Sequence, residues 1–385
     1  MSAGNELIPL FAPLFRTDEV LAEVRECLER GWTGSGFKTI ELEDAWRKYS
    51  GFSHAHFVNS GTAALHTAFA VLKKTHGWVD GDEIITTSFT FVATNHAILY
   101  ENLRPVFADV DGHLCLSPES VASRITPRTR AVCFVGIGGN PGRYSEVLQF
   151  CRERGLKMIL DASHMAGTRF GQSHVGLDSD VAVFSFHAVK NLPTADAGMV
   201  CFAEPECDRS ARRFAWLGIE KHPDVEASAP SQGRYSIDDV GFKYHGNSIV
   251  ASMALVGLRY LDTDNERRRE IAGWYDEALA DEPRIERPQM AAGFTLSRHL
   301  YQVLIRDRNA VMDELNRQRI LTGLHYADNT DYPMFLHGKG SCPNAARAAG
   351  RVLSLPMFVG LRKDQVARVV SALKNAEANS QGVSD

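Results

Sequence analysis

The sequence predicts an α/β protein whose largely parallel central sheet is covered by helices on both faces. Short apolar runs alternate with helical segments from residue 56 to residue 203, which is the pattern of such a sheet. The chain has 385 residues, more than one hydrophobic core usually supports, so we predict two domains. We place a large domain at residues 1–250 and a smaller α+β domain at residues 251–385.

Composition narrows the possible functions. A net charge of −5 gives no basic surface for nucleic acid. The seven cysteines include no CxxC pair, which predicts no zinc site, and their odd number argues against a full disulfide framework. The N-terminus lacks the pattern of a signal peptide, and no stretch approaches the roughly 18 apolar residues of a membrane span. We therefore expect a protein of the reducing cytoplasm.

The first elements are two helices, a strand and a third helix. Residues 18–30 and 39–49 have helical patterns and are separated by the loop sequence WTGSG. Residues 56–58 form a short strand. From Thr62 onward, apolar residues recur at positions i, i+3, i+4 and i+7, which predicts a helix with one buried face.

The turn between that strand and that helix is a candidate phosphate site. It consists of Ser60, Gly61 and Thr62 after Asn59. A helix N-terminus attracts an anion because its free N–H groups and the positive end of its dipole point outward. Plain helix capping by a serine or threonine is the alternative interpretation.

Three further strands are predicted at residues 83–86, 106–110 and 131–135, and the segment SFTFVAT begins at Ser88. The loop GIGGNPG at residues 136–142 is rich in glycine. It does not open a helix as the GxGxxG fingerprint does, so we predict no dinucleotide-binding site.

A buried strand at residues 156–160 follows a helix at residues 144–154 and ends in the sequence Asp161-Ala162-Ser163-His164. A carboxylate at the carboxyl end of a parallel strand points into the crevice where ligands bind. Asp161 is therefore a candidate site residue. His164 is a second candidate, with a satisfied core histidine as the alternative.

The next strand, residues 181–186, leads into a turn that contains Ser185 at its edge, His187 and Lys190. A lysine just past a buried strand can have its ammonium group desolvated, which lowers the pKa and frees the amine to attack a carbonyl carbon. We predict Lys190 as this nucleophile. An ordinary surface lysine is the alternative.

The remaining chain predicts a surface excursion, a long helix and a small domain. Residues 204–240 are polar, irregular and interrupted by prolines, and residues 241–262 lead into the helix. From residue 283 the pattern becomes α+β, with a strand at residues 301–305, a helix from Ala310 and a last helix near residues 364–374. We expect the last ten residues to fray.

Several of these motifs resemble one family. They are SGTAAL from Ser60, DASH from Asp161, FSFHAVKN around Lys190, and GRVLSLPMF from Gly350. Together they resemble the DegT/DnrJ/EryC1/StrS sugar aminotransferases over nearly the whole chain. The resemblance implies fold type I, the aspartate-aminotransferase-like fold, and pyridoxal 5'-phosphate (PLP) as the cofactor.

The resemblance also implies individual roles. Lys190 stands at the position of the lysine that holds PLP as a Schiff base, with Ser185 in the same motif. Asp161 matches the acid that pairs with the pyridine nitrogen, because a protonated ring is a better electron sink. His164 lies at the position beside the 3'-hydroxyl of PLP. Phe91 matches an aromatic residue stacked on the ring, with a core phenylalanine as the alternative.

One segment departs from the family pattern. In the family's G-x-N-x-R segment, the asparagine reaches the phosphate of the neighbouring subunit. In this sequence Lys243 replaces that asparagine and His245 replaces the arginine. A lysine serves a phosphate as a point charge. The resemblance therefore implies that Lys243 binds PLP across a homodimer with shared active sites, with Asn247 as a nearby substitute.

The implied activity is transfer of an amino group from glutamate to the keto carbon of a sugar, most often one linked to a nucleotide. Lys190 would then also carry the proton between the substrate carbon and C4' of the cofactor. Three alternatives stay open: an aminotransferase for keto-cyclitols, a PLP-dependent sugar dehydratase, and a non-catalytic regulatory protein. Dehydratase relatives replace the lysine with histidine, so the presence of Lys190 counts against the second.

Overall fold

The computed structural model describes residues 6–221 and 235–381. Its strands form a central sheet of seven strands and three smaller sheets. The strands are β1 (His54–Val58), β2 (Glu83–Thr87), β3 (Arg104–Ala108), β4 (Thr129–Val135), β5 (Lys157–Asp161), β6 (Arg169–Phe170), β7 (Ser173–His174), β8 (Val181–Ser185), β9 (Gly198–Phe202), β10 (Ile219–Lys221), β11 (Tyr235–Ile237), β12 (Phe294–Thr295), β13 (Tyr301–Leu304) and β14 (Val352–Leu355).

The central sheet has the order β1-β9-β8-β5-β4-β2-β3. The strands from β8 to β3 pair in parallel, whereas β9 pairs antiparallel with both β8 and β1. All strands of this sheet except β9 therefore run in one direction, and the prediction of a largely parallel sheet is confirmed.

Helices cover both faces of this sheet. Val181 and Val183 of β8 pack with Phe69 in one hydrophobic core, while Phe184 packs with Trp46 in another. Successive side chains of a strand point to opposite faces, so the apolar run from Val181 to Phe184 fits burial on both sides. The helices are α1 (Thr17–Glu29), α2 (Phe37–Ser50), α3 (Gly61–His76), α4 (Val92–Tyr100), α5 (Pro118–Ser123), α6 (Tyr144–Glu153), α7 (Pro205–Phe214), α8 (Ser248–Ala278), α9 (Arg308–Arg317), α10 (Pro343–Arg351) and α11 (Lys363–Gln381).

A separate hydrophobic core surrounds β13 and β14 and includes residues of α8, α9 and α11. The N-terminal segment packs on this core through Ile8, which is fully buried. The Ile8 N–H donates to the carbonyl of Arg319, and the Ile8 carbonyl accepts from the Leu321 N–H, both at 2.9 Å. Helix α8 runs across the predicted domain boundary at residue 250, and that boundary stays a prediction.

Two local predictions are wrong. The segment predicted as irregular at residues 204–240 contains α7, β10 and β11, and its residues 222–234 lie outside the described part. Pro205 starts α7 at a position where proline is favoured, because no intrahelical partner is lost there. At the C-terminus, where the last ten residues were expected to fray, α11 continues through Gln381 because residues such as Ala376 are buried in the second core, and residues 382–385 lie outside the described part. None of the helices described is both long and apolar enough to cross a membrane.

Candidate active site

A cavity of about 410 Å³ lies where β5, β8 and the N-terminus of α3 meet. Asp161 is the last residue of β5 and Ser185 is the last residue of β8, so parallel strands bring both side chains to one edge of the sheet. Eight of the nine predicted site residues line this cavity: Ser60, Gly61, Thr62, Phe91, Asp161, His164, Ser185 and Lys190.

The turn before α3 presents hydrogen-bond donors to the cavity. Ser60 is the N-cap residue, and its Oγ accepts a bond from the Ala63 N–H at 3.0 Å. This bond leaves the hydroxyl proton of Ser60 available for donation. The backbone N–H groups of the first turn and the hydroxyls of Thr62 and Ser185 complete a donor set that suits a phosphate.

Close packing explains the small residues around this turn. A Cβ added to Gly61 would lie 2.9 Å from Ser185 Cβ and 3.1 Å from its Oγ. A Cβ added to Gly198 of β9 would lie 2.6 Å from the carbonyl oxygen of Ser60. The turn therefore rests directly against β8 and β9, and its glycine leaves room where an anion would bind.

Gly61→Ala is expected to weaken PLP binding by roughly tenfold or more. The added methyl group displaces the Ser185 hydroxyl, and one hydrogen bond to a charged group contributes about 1.5–3 kcal/mol. Fluorescence titration of the apoprotein with PLP measures the effect. Gly273→Ala is the matched control, because a Cβ there meets no atom within 4 Å and the site lies far along α8. Unchanged affinity in a folded Gly61→Ala protein would contradict this account of the turn.

Two hydrogen bonds fix the carboxylate of Asp161, which is only 4% exposed. Its Oδ2 accepts from Thr94 Oγ1 at 2.8 Å, and its Oδ1 accepts from the Ser163 N–H at 3.1 Å. A buried carboxylate held in this way can pair with a protonated ring nitrogen of a ligand in the cavity.

Lys190 lies in the loop after β8, half-buried, with its backbone N–H bonded to the His187 carbonyl at 2.9 Å. Burial lowers the pKa of its side chain to about 8, and the negative charge of Asp161 opposes part of this shift. A larger neutral fraction makes the amine a better nucleophile near neutral pH. The environment of Lys190 therefore differs from that of an ordinary surface lysine.

The pKa of Lys190 predicts a pH dependence. Below pH 8 the rate at which the apoprotein captures PLP should rise about tenfold per pH unit, and above pH 8 it should level off, because only the neutral amine attacks. Stopped-flow absorbance measures this rate. A blocked free lysine measured in parallel corrects for the ionisation of PLP itself. A corrected rate that still rises about tenfold per pH unit beyond pH 9 would contradict the lowered pKa of Lys190.

His164 is buried and neutral. Burial lowers its pKa well below the usual value, and the positive charge of Lys190 adds to the effect. Its Nδ1 accepts from the Gly138 N–H at 3.1 Å, and its Nε2 lies 3.1 Å from the hydroxyl of Tyr326. The glycine-rich loop at residues 136–142 therefore orients a cavity residue, a role that its sequence did not suggest.

The cavity wall also includes residues that sequence reasoning did not single out, among them Phe11, His299, His325 and Tyr326. They come from the N-terminal segment and from the C-terminal third of the chain. No local motif marks them, because residues far apart in the sequence meet here only in the folded chain.

Phe91 is 58% exposed at the cavity, so the alternative of a core phenylalanine is wrong. It precedes α4 as its N-cap residue. Its ring centroid lies 5.9 Å from that of Tyr326. An exposed ring beside the cavity is free to cover a flat ligand, and the stacking role stays a prediction.

Lys243 does not line the cavity of its own chain. Its side chain is exposed, and its Nζ lies 4.9 Å from the ring centroid of Trp216. Its carbonyl accepts from Asn59 Nδ2 at 3.2 Å, so its backbone is joined to the residue before the anion-binding turn. Asn247 caps α8 by accepting from the Val250 N–H at 3.0 Å.

One group of possible metal ligands occurs among the described residues: His76, Glu204 and Cys207, with ligand atoms within 4.8 Å of one another. The ammonium of Lys157 lies 2.8 Å from Glu204 Oε1 and already neutralises that carboxylate. The group lies away from the cavity, and the expectation of no metal site stays a prediction.

Two solved structures that are similar to this chain are aminotransferases. The aminotransferase TlmJ from Streptoalloteichus hindustanus is 31% identical with a TM-score of 0.90, over 97% of this chain and 100% of that chain. The sugar aminotransferase CalS13 from Micromonospora echinospora is 28% identical with a TM-score of 0.88, over 96% of this chain and 100% of that one. The fold is therefore that of the fold type I, PLP-dependent transferases.

The chain belongs to the DegT/DnrJ/EryC1/StrS aminotransferase family, whose model matches residues 16–374. A further relative, the spore coat polysaccharide biosynthesis protein SpsC of Bacillus subtilis (strain 168), is 31% identical over 386 residues, which cover 96% of this chain and 97% of that protein. The enzyme is thus a PLP-dependent aminotransferase. The N–H groups at Gly61, the carboxylate of Asp161 and the amine of Lys190 suit the phosphate, the ring nitrogen and the aldehyde of that cofactor, respectively.

Proposed function

We propose that this enzyme aminates the keto carbon of a nucleotide-linked ketosugar with glutamate as the amino donor. The product would serve the biosynthesis of a cell-surface polysaccharide or of a secondary-metabolite sugar, and we propose the cytoplasm as its compartment. One observation carries the choice of a sugar. The cavity wall opposite α3 offers neutral hydrogen-bonding groups, namely His299, His325 and Tyr326, which suit a ring rich in hydroxyl groups.

The side chains of His299, His325 and Tyr326 stay neutral near neutral pH. Burial lowers the pKa of His299 well below its usual value and that of His325 to about 4. Burial also raises the pKa of the Tyr326 phenol. Neutral donors and acceptors can form hydrogen bonds with the hydroxyl groups of a sugar, and they require no charged group on the substrate.

The residues divide the chemistry among them. PLP supplies the electron sink when it is bound. Lys190 attaches the cofactor through its amine and, once released, carries the proton to or from the reacting carbon. The carboxylate of Asp161 holds a positive charge on the ring nitrogen, and the donors around Gly61 hold the phosphate.

A substrate panel tests this proposal. Purified enzyme is incubated with glutamate and either nucleotide-linked ketosugars or keto-cyclitols, and products are read by mass. We expect an aminated nucleotide sugar. If only a keto-cyclitol is aminated, the substrate is a keto-cyclitol and not a nucleotide-linked sugar. If a dehydrated sugar forms, the enzyme is a dehydratase and not an aminotransferase. An enzyme that converts no member of the panel and does not exchange its amino group with glutamate would be a regulatory protein.

We also propose a homodimer in which Lys243 binds the phosphate of PLP in the partner subunit. The exposure of Lys243 outside its own cavity supports this role. Large apolar side chains are exposed on the same segment and its neighbour, with Leu217 at 42%, Val240 at 88% and Phe242 at 39%. Exposed apolar groups clustered in this way are typical of an interface.

Lys243→Ala is expected to weaken PLP affinity by roughly 10- to 100-fold, because a charge-assisted contact with a phosphate is lost. Mixing Lys243→Ala with Lys190→Ala chains gives heterodimers that hold one site with both lysines. Activity should return, to about half the wild-type level per heterodimer if the two sites are independent. Verified subunit exchange without recovery would mean that Lys243 serves its own subunit or none.

A further inference from the structure

Asn191, the residue after Lys190, joins three segments of the chain through its side chain, which is only 4% exposed. Its Nδ2 donates to Asn265 Oδ1 of α8 at 2.6 Å and to the carbonyl of Ser297 at 2.8 Å. Its Oδ1 lies 3.0 Å from Nδ1 of His299. This one amide therefore connects the loop of the catalytic lysine with α8 and with a histidine of the cavity wall.

Two backbone carbonyls fix the orientation of the amides in this network. A carbonyl oxygen only accepts, so the nitrogen of Asn191 must be the atom that faces Ser297. In the same way, the nitrogen of Asn265 must be the atom that faces the carbonyl of Ala166, 2.9 Å away. The oxygen of Asn191 is then the atom that faces His299. Because this oxygen only accepts, Nδ1 of His299 carries the proton in their bond.

His299 consequently presents a lone pair at Nε2. Burial lowers the pKa of His299 well below its usual value, and the nearby cations Lys190 and Arg268 add to the effect, so the ring is neutral and has one N–H. That N–H is on Nδ1. The ring stacks on Phe11 with centroids 5.7 Å apart and lines the cavity. Within the described part of the chain, Asn191 is the one hydrogen-bonding partner of this imidazole, and Nε2 is left as a free acceptor.

We propose that His299 determines specificity by accepting a hydrogen bond from a hydroxyl group of the sugar substrate, and that Asn191 is the positioning residue that keeps this acceptor free. The inference rests on the proposed function and narrows it. The substrate must carry a free hydroxyl group, and not a deoxy carbon or an ether oxygen, at the ring position that meets His299. The other tautomer would present an N–H at Nε2 and would suit an ether or carbonyl oxygen instead.

Burial of this acceptor makes the discrimination strong. A substrate without the hydroxyl group leaves Nε2 without a partner in a site that excludes water, and an unpaired buried acceptor costs more than a missing contact at an exposed position. Sites built to bond a hydroxyl group reject analogues that lack it far more strongly than apolar pockets reject a change of one methylene group. The preference for the hydroxyl group is therefore the quantity to measure.

The test uses pairs of substrates that differ in one hydroxyl group. Each pair consists of a nucleotide-linked ketosugar and the same compound with hydrogen in place of one ring hydroxyl, and kcat/KM is measured for both at saturating glutamate. For one pair, the wild-type enzyme should prefer the hydroxylated member by roughly tenfold or more. His299→Phe keeps a ring against Phe11 but has no acceptor, and it should reduce this preference to about threefold or less.

Asn191→Leu tests the positioning role without changing His299. It removes the acceptor of the Nδ1–H, so the proton is free to move to Nε2, and the same pair should lose most of its preference. The double variant with His299→Phe should lose little more, because both changes act on one interaction. Asn265→Leu reaches Asn191 from α8, and it should lower the preference part of the way, because it frees one hydrogen of the Asn191 amide.

Asn140→Leu is the matched control for the loss of a buried amide. Asn140 is 3% exposed, does not line this cavity, and donates to the carbonyls of His113 and Gln289. Its loss should change kcat/KM for both members of a pair by the same factor. A purely structural effect of Asn191→Leu would likewise cancel in the ratio.

The outcomes separate this inference from the proposed function. If the wild-type enzyme shows no preference in any pair, or if His299→Phe keeps the preference, the inference is overturned and the proposed function stands. If Asn191→Leu folds and keeps the full preference, Asn191 does not position this acceptor. If the wild-type enzyme aminates no nucleotide-linked ketosugar, the proposed function itself is overturned.

Discussion

Lys190→Ala is expected to lower turnover by at least about 10²- to 10⁴-fold, because the protein loses both its nucleophile and its proton carrier. The absorbance band of covalently attached cofactor should disappear at the same time. Steady-state turnover with glutamate and the accepted ketosugar, together with the spectrum of the PLP-soaked protein, measures both effects.

The fold should survive this change. Burial disfavours the charged form of Lys190 in the folded protein, so its removal is expected to leave the thermal midpoint unchanged or raised. Lys363→Ala is the control, since Lys363 is exposed on α11 and does not line the cavity. Turnover near the wild-type level in Lys190→Ala would place the catalytic amine elsewhere.

Asp161→Asn should lower turnover by about 10²-fold or more while PLP still binds. The amide has nearly the shape of the carboxylate: its oxygen can still accept from the Ser163 N–H, and its NH2 group can donate to Thr94 Oγ1 in place of the present bond. What it lacks is the negative charge that stabilises the protonated ring nitrogen, and loss of one main electrostatic contributor typically has this size.

Thr94→Val separates charge from geometry at this site. It removes the hydrogen bond to Asp161 Oδ2 and leaves the carboxylate charge in place, so we expect a clearly smaller loss than for Asp161→Asn. Turnover is compared at saturating PLP for both variants. Equal losses in the two would indicate that Asp161 acts through its geometry, and near wild-type turnover in Asp161→Asn would make it a structural residue.

The catalytic centre was predictable because its parts follow regular elements. Asp161 ends a buried apolar strand, Lys190 lies in the loop that follows another, and Gly61 starts an amphipathic helix, so a local pattern places each of them. The parallel sheet then brings these ends to one edge. The largely parallel sheet itself follows from the same alternation of strands and helices.

The opposite wall of the cavity was not predictable in this way. Tyr326 and His299 meet His164 across more than a hundred residues of chain, and such contacts leave no periodic signal. The prediction at Pro205 failed for another reason. Proline ends helices in their interior but starts them at the first position, and the local sequence did not show which applied.

Reduction of the PLP-loaded enzyme with borohydride, followed by peptide mapping, tests the central assignment most directly. Reduction makes the bond between cofactor and protein permanent, so the labelled residue identifies the attachment site without knowledge of the sugar substrate. We predict one pyridoxyl group per chain, carried by the peptide that contains Lys190. A label on any other lysine, or no label on a protein that binds PLP, would contradict the account.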